Sequence, residues 1–307
     1  MSGFFGIDTS NYTTSVAFCN GTSIKQVKKL LPVKEGERGI RQSDAVFHHT
    51  KAYPDLVAQL FENVNDEISA VGASVRPTTA EGSYMPCFLV GEGFGRALAT
   101  TLGVPFYPFS HQQGHIAAAV YSAGKKELLN ERFLAFHISG GTTDLVLCTP
   151  DGNVFKTEPV ASSSDLKAGQ AVDRIGVKMG LRFPAGANLE KLAEKSEETY
   201  KNKIKLTEDG FCSLSGLENK CLKMLQNGKS YEDTAKFLLT YIGDVVCAMT
   251  DNALKKFGDL PVVYAGGVMS DKLIKNQISE RFQAYFAEPD FSCDNAAGIA
   301  YLTSLMK

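Results

Sequence analysis

Two periods of apolar and polar positions run along the chain, and together they predict an α/β protein. The opening Gly3-Phe-Phe-Gly-Ile-Asp8 is a short apolar run ending in an acid. Asn11-Tyr-Thr-Thr-Ser-Val-Ala-Phe18 follows, rich in β-branched residues, and Asn20-Gly21 supplies a turn. This is the pattern of a hairpin or meander. Residues 42–66 are periodic as a helix through Val46, Tyr53, Leu56, Val57, Leu60 and Phe61. The run 87–90 reads as a buried strand, 94–102 as a helix stopped by Gly103, and 104–109 as a strand feeding a further helix. A second cycle then begins. Residues 133–138 form an apolar strand, Ser139-Gly-Gly141 a tight turn, and 142–148 a returning strand, which repeats the layout of residues 4–18. Helices are expected over 165–180, 187–196 and 231–256, a strand at 261–264, and a closing helix over 295–306. The repeat predicts a duplicated α/β unit: two lobes with a ligand cleft between them. The lobes would be residues 1–107 and 108–294, with the terminal helix 295–307 packing back on the first.

Composition adds bounds. A chain of 307 residues, 44% hydrophobic and 21% charged, suits a globular enzyme. Its net charge of −2 argues against a protein that grips nucleic acid by bulk charge. Seven scattered cysteines, odd in number and without C-x-x-C, read as reduced core thiols. No secretory pattern opens the chain, so a cytoplasmic protein is expected. No apolar run is long enough to span a bilayer.

Of five histidines, His111 and His115 stand four apart at a helix start, so both imidazoles share one face. Ser110 and Gln113 form the capping-box pattern S-x-x-Q. That puts His111 in the first turn, where the helix dipole favours the neutral ring a metal needs. The pair is either two ligands of one metal or a chance surface pair. It lacks the general-base Glu of H-E-x-x-H peptidases. Asp294, before the last helix, is either an N-cap or a third, oxygen ligand. Ser139, Gly140, Gly141 and Thr142 make a plain hairpin turn or a backbone cradle for phosphate. Gly266 and Gly267 follow a buried strand and precede a helix starting near Ser270 or Asp271, a better nucleotide site. Asp173 is a solvated helix acid or an acceptor for ribose hydroxyls. Pro184-Ala-Gly186 is a helix entry or a nucleotide wall. His48-His49 reads as a surface or interface pair, and His137 as a core histidine.

In this order, the segments resemble the TsaD/Gcp family of threonylcarbamoyl-transfer proteins, once called O-sialoglycoprotein endopeptidases. Gly6-Ile-Asp-Thr-Ser10 resembles the family's G-I-E-T-S, and His111-Gln-Gln-Gly-His115 its H-x-x-G-H. Ser139-Gly-Gly-Thr-Thr143 resembles S-G-G-[HN]-T, and Gly169-Gln-Ala-Val-Asp-Arg174 resembles G-E-A-F-D-K. Pro184-Ala-Gly186, Phe211-Cys-Ser-Leu-Ser-Gly-Leu217, Gly266-Gly267-Val268 and Cys293-Asp-Asn-Ala-Ala297 resemble P-G-G, F-S-F-S-G-L, G-G-V and T-D-N-A-A.

The resemblance implies an actin-like ATPase (ASKHA) fold. It implies one divalent metal, zinc or iron, on His111, His115 and Asp294. It also implies an adenine nucleotide (ATP, AMP or an acyl-adenylate). Ser139, Gly140, Gly141 and Thr142 would face its phosphate or carbamoyl end, Asp173 and Gly186 its nucleoside, and Gly266, Gly267 and Asp271 would wall it. The implied reaction moves threonylcarbamoyl from threonylcarbamoyl-AMP to adenosine N6 of tRNA, with Asp8 as the catalytic candidate. tRNA would arrive through partner subunits, and the chain would pair with itself or a related family protein. Where the family continues Cys-Asp-Glu, this chain has Asn11-Tyr12-Thr13; Asp271 replaces an Asn, and the family's Gly-Pro-Gly loop is replaced around Arg76-Pro77-Thr78-Thr79. These departures leave two alternatives: a carbamoyl- or acyl-transferase with another acceptor, or a non-catalytic ATP-binding regulatory partner.

Overall fold

The computed structural model describes residues 2–10, 12–32, 40–292 and 296–307. In chain order the elements are β1 Ser2–Ser10, β2 Thr13–Cys19, β3 Ile24–Leu30, α1 Gln42–Phe61, β4 Glu67–Arg76, α2 Phe88–Leu102, β5 Phe106–Ser110 and α3 His111–Ser122. Then come β6 Phe133–Ile138, β7 Thr143–Asp151, β8 Val154–Ser162, α4 Ala168–Lys178, α5 Gly186–Ala193, α6 Ser215–Gln226 and α7 Tyr231–Phe257. The chain closes with β9 Val262–Ala265, α8 Lys272–Ser279, β10 Ala284–Phe286, α9 Pro289–Ser292 and α10 Ala297–Leu305.

The two sheets have one topology. The first runs β3-β2-β1-β4-β5 and the second β10-β9-β6-β7-β8, the same order read from the other edge. In each, the opening strand pairs antiparallel with the next and parallel with a later strand. The repeat seen in the two hairpins therefore extends to whole sheets.

Contacts divide the chain into one unit of residues 1–131, 149–158 and 293–307, and another of 132–148 and 159–292. The first unit thus runs past the boundary expected at 107 and keeps α3. It also holds the tip of the β7–β8 hairpin, where Gln113 Nε2 donates to Phe155 O at 2.7 Å. The terminal helix lies in this unit too, against β1 and α3. Residues 297–303 of α10 are all buried, so it is apolar all round, as a central helix must be.

Glycines set how closely these elements approach. A Cβ at Gly298 would overlap the carbonyl oxygen of Gly114, and one at Gly6 would overlap the backbone of Ala300. The backbones of α10, α3 and β1 therefore touch directly.

Two local expectations change and one holds. Residues 87–90 are not a strand: Cys87 is the N-cap position of α2, which buries Phe88, Val90, Gly91, Gly95 and Ala99. A short apolar run does not reveal its period. The strand of that region is β4, whose small residues (Ala70, Gly72, Ala73, Ser74) give weak alternation. The helix expected to start near Ser270 or Asp271 is present: a 3₁₀ turn, Gly267–Ser270, leads into α8 with Asp271 as its N-cap. His49 is fully buried in α1 rather than at a surface. Its neighbours His48 and Thr50 are more exposed.

Candidate functional site

In the first unit the site is built on the junction of β5 and α3. The expected capping box is present: Gln113 N donates to Ser110 Oγ at 3.2 Å, and Ser110 N donates to Gln113 Oε1 at 2.9 Å. This starts α3 at His111 and sends both imidazoles to one side. Their Nε2 atoms are 3.0 Å apart. Two nitrogens each at roughly 2.0–2.1 Å from one tetrahedral ion would be about 3.3 Å apart. At 3.0 Å the rings share a hydrogen bond, which a metal taking both nitrogens would replace; among the described residues no third His, Cys, Asp or Glu completes a metal-holding group.

Asp8 completes the arrangement from β1. It is fully buried, its Oδ1 lies 2.9 Å from His111 Nδ1, and Ser74 Oγ donates to the same oxygen. A carboxylate only accepts, so His111 Nδ1 is the donor in this contact. Carboxylate–histidine pairs of this kind orient metal ligands. Asp8 and Ser74 thus act on His111 from the strands beneath it. Asp294 lies outside the described residues. Tyr12 is partly exposed and Thr13 is buried in β2.

Beside Asp8 is a second buried imidazole. His49 Nδ1 lies 2.8 Å from Thr14 Oγ1. Burial lowers its pKa to about 4, against the opposing pull of Asp8, so the ring is neutral at pH 7.

The other candidates fall in the second unit, and the fold brings them together. Ser139–Thr142 is the β6–β7 turn, closed by Ser139 N donating to Thr142 O at 3.0 Å. Gly140 and Gly141 are exposed, with open space where a Cβ would stand. Internal packing therefore does not require a glycine at either position. Gly266 has φ +100° and lies on Ile138, so the second glycine loop touches the strand leading to the first. Gly169, in the first turn of α4, packs on the same turn, 2.6 Å from Gly140 N if given a Cβ, and its N–H donates to Ser139 O at 3.2 Å. Sequence reasoning passed over this role of Gly169, although it opens one of the motifs.

Asp173 is hydrogen-bonded to the residue before Gly186. Ala185 N donates to Asp173 Oδ1 at 2.8 Å, and burial raises the Asp173 pKa against that bond. Asp271 caps α8, accepting from Ile274 N at 3.0 Å. Burial, reinforced by Glu190 and Glu194, pushes its pKa up to about 6. Glu190 of α5 accepts from Lys272 N at 3.0 Å, which ties the helix after Gly186 to the start of α8.

None of the six described cysteines is placed for nucleophilic work. All are buried, and burial pushes Cys87 and Cys221 up to about 12 and Cys247 to about 11. No helix among the described residues is long and apolar enough to cross a membrane.

Residues 25–301 match the family TsaD, described as tRNA N6-adenosine threonylcarbamoyltransferase. The protein of that name from Pyrobaculum calidifontis is 29% identical over 297 residues, covering 95% of this chain and 83% of the relative. That from a strain of Thermus thermophilus is 29% identical over 310 residues, covering 96% and 90%. Among solved structures, full-length HypF in the phosphate- and nucleotide-bound form aligns with a TM-score of 0.59 at 14% identity, over 98% of this chain and 45% of HypF. The chain thus spans less than half the length of HypF. The 2-hydroxyisocaproyl-CoA dehydratase activator of Clostridium difficile with bound ADPNP aligns with a TM-score of 0.54 at 13% identity, over 98% and 94%. These likenesses identify the actin-like ATPase (ASKHA) fold.

Proposed function

We infer the activity from one premise: the chain belongs to the TsaD family. Its function is accordingly of the tRNA threonylcarbamoyltransferase type. The reading proposed here is that it transfers threonylcarbamoyl from threonylcarbamoyl-AMP to N6 of an adenosine in tRNA. The observation that carries it is the His111–His115 pair with Asp8 behind it, at 3.0 and 2.9 Å.

In the transfer, the adenosine amine attacks the carbamoyl carbon. A C–N bond forms, the C–O bond to the phosphate breaks, AMP leaves with the electron pair, and N6 loses a proton. The glycine turns would hold the adenylate so that this carbon meets the amine. Ser139, Gly140, Gly141 and Thr142 would line its anionic end, Asp173 and Gly186 its ribose and base, and Gly266, Gly267 and Asp271 the opposite wall. A zinc or iron ion on His111 and His115, with Asp294 as third ligand, would supply Lewis acidity when bound. In support of that third ligand, Asp294 stands four residues before Gly298, which packs on Gly114 of the histidine helix. Asp8 works through His111, as a positioning residue.

With a net charge of −2, the chain would take tRNA together with partner subunits, as a homodimer or beside a related family protein. Buried, unpaired thiols fit a cytoplasmic setting.

One observation favours a second reading. The family's Asp-Glu pair after the first motif is Tyr12-Thr13 here, and Thr13 is buried in β2. A transferase using the same adenylate with another acceptor would not need those acids.

Both readings are tested by incubating the protein with threonylcarbamoyl-AMP and unmodified tRNA, with and without related subunits. Modified adenosine in the digested tRNA supports the first. AMP release that depends on another amine, with unmodified tRNA under every pairing, supports the second. Binding of the adenylate without turnover would reject both and leave a regulatory ATP-binding role.

A further inference from the structure

The glycine turn of the second unit has a buried extension that the proposed reaction does not use. His137, in β6, is 8% exposed, and its Nδ1 lies 3.3 Å from Thr142 Oγ1. Thr142 Oγ1 in turn lies 2.9 Å from Ser139 Oγ, and Gly141 N donates to that Ser139 oxygen at 3.2 Å. A continuous line of polar atoms therefore runs from a buried imidazole to the half-exposed serine at the mouth of the turn. Position 142 is His or Asn in the family pattern and Thr here, so the imidazole beside this hydroxyl comes from the strand instead.

Such a line has two directions. Run inward, Ser139 donates to Thr142 and Thr142 to His137, and the turn presents a serine lone pair to the outside. Run outward, His137 Nδ1–H donates to Thr142, Thr142 donates to Ser139, and the Ser139 O–H is free to donate. In the outward direction Ser139 Oγ accepts from both Thr142 and Gly141, which leaves its proton for a ligand. An anion bonded to Ser139 Oγ requires the outward direction; an uncharged ligand takes either.

We propose that His137 is a positioning residue that polarises Ser139 through Thr142, so that the turn selects the anionic, phosphate-bearing form of an adenine nucleotide. The relay rests on the adenylate reading above. Asp144 is His137's cross-strand partner, which puts it on the same face of the hairpin. His137 also pairs in register with Ala265, the residue before the second glycine loop, so the imidazole is flanked by both loops.

The test compares AMP with adenosine, which differ only in the phosphate, by titration calorimetry on the full chain. His137→Leu and Thr142→Val should each weaken AMP about tenfold, the scale of one hydrogen bond to a charged group, and leave adenosine within about twofold. The double variant should be no weaker than the worse single one, because both break one line. His137→Asn places an amide N–H near the Nδ1 position and should hold AMP within about threefold of the parent. Equal losses for AMP and adenosine, additive losses in the double variant, or a failure of Asn to rescue would each overturn the relay. Thr142 is half-exposed in a turn, so its variant keeps the test meaningful if His137→Leu fails to fold. If the parent chain binds neither ligand, the adenylate reading falls and the relay with it. If the parent binds AMP and the variants do not discriminate, only the relay falls.

Discussion

At the scale of single residues, what each side chain lacks matters as much as what it carries. Gly140 has an ordinary φ and open space where a Cβ would stand. Gly140→Ala should therefore leave the thermal midpoint unchanged or slightly higher, by the usual ~0.4–1 kcal/mol of reduced unfolded-state freedom. If a ligand's phosphate sits against this backbone, the same change should weaken AMP at least about tenfold; unchanged affinity would place the phosphate elsewhere. Asp8 is the opposite case, a buried carboxylate held against His111 and Ser74. Asp8→Asn removes the charge that holds the Nδ1 proton on His111. Metal affinity, measured by competition with a chelator, should drop about 10–100-fold, the typical cost of losing an orienting partner. His111→Ala should abolish stoichiometric metal outright. Full metal content in the His111 variant, or parental metal affinity in the Asp8 variant, would refute the assignment.

At the scale of elements, legibility followed the strength of the local signal. The α3 start was readable to the residue because Ser110 and Gln113 form a cap with a defined spacing, and the structure reproduces it. The turn at Ser139 was readable because an apolar strand stops at two glycines. The strand β4 and the true nature of residues 87–90 were not, because small residues in one and a brief apolar run in the other leave the period undefined. His111 could be paired with His115 by spacing. Its partner Asp8 and Asp8's partner Ser74 lie 103 and 66 residues from theirs, and only sheet register joins them. The same holds for Gly114 and Gly298, whose backbones touch although nothing in either local pattern announces it. Gly298→Ala tests that contact. A methyl group there meets the α3 backbone at Gly114 and Ala118, so α10 must shift off α3. The expected loss is at least the ~1–3 kcal/mol of an overpacked core, together with weaker metal binding, since the displaced helix packs on α3, which carries His111 and His115. A variant with parental stability and parental metal content would show that the two helices are not locked as described.

At the scale of the whole molecule, the two units repeat one sheet topology, yet a buried group in each titrates in the opposite sense. His49 in the first unit has a folded pKa of about 4, below its ordinary value of 6.5. The unfolded chain binds its proton more readily, so this group's contribution is intact above about pH 6.5 and is lost as pH falls toward 4. Asp271 in the second unit has a folded pKa of about 6, above its ordinary 3.8. Here the native state binds the proton more readily, so the group costs nothing below about pH 4 and its full penalty appears above about pH 6. The upper bound of that penalty follows from a shift of about two units, or ~3 kcal/mol, and ~1–3 kcal/mol is the working range. Asn caps a helix as well as Asp does, so Asp271→Asn removes the charge and keeps the cap. Urea midpoints should therefore rise in this variant at pH 7 and match the parent near pH 4. The parent's stability should still decline from pH 6.5 to 4 through His49, and Asp271→Asn should make that decline steeper, because the opposing term is gone. If Asp271→Asn is no more stable than the parent at pH 7, the carboxylate is stabilised there by something other than its cap. A bound cation or a ligand hydroxyl would do that, which would favour Asp271 as a wall of the nucleotide site.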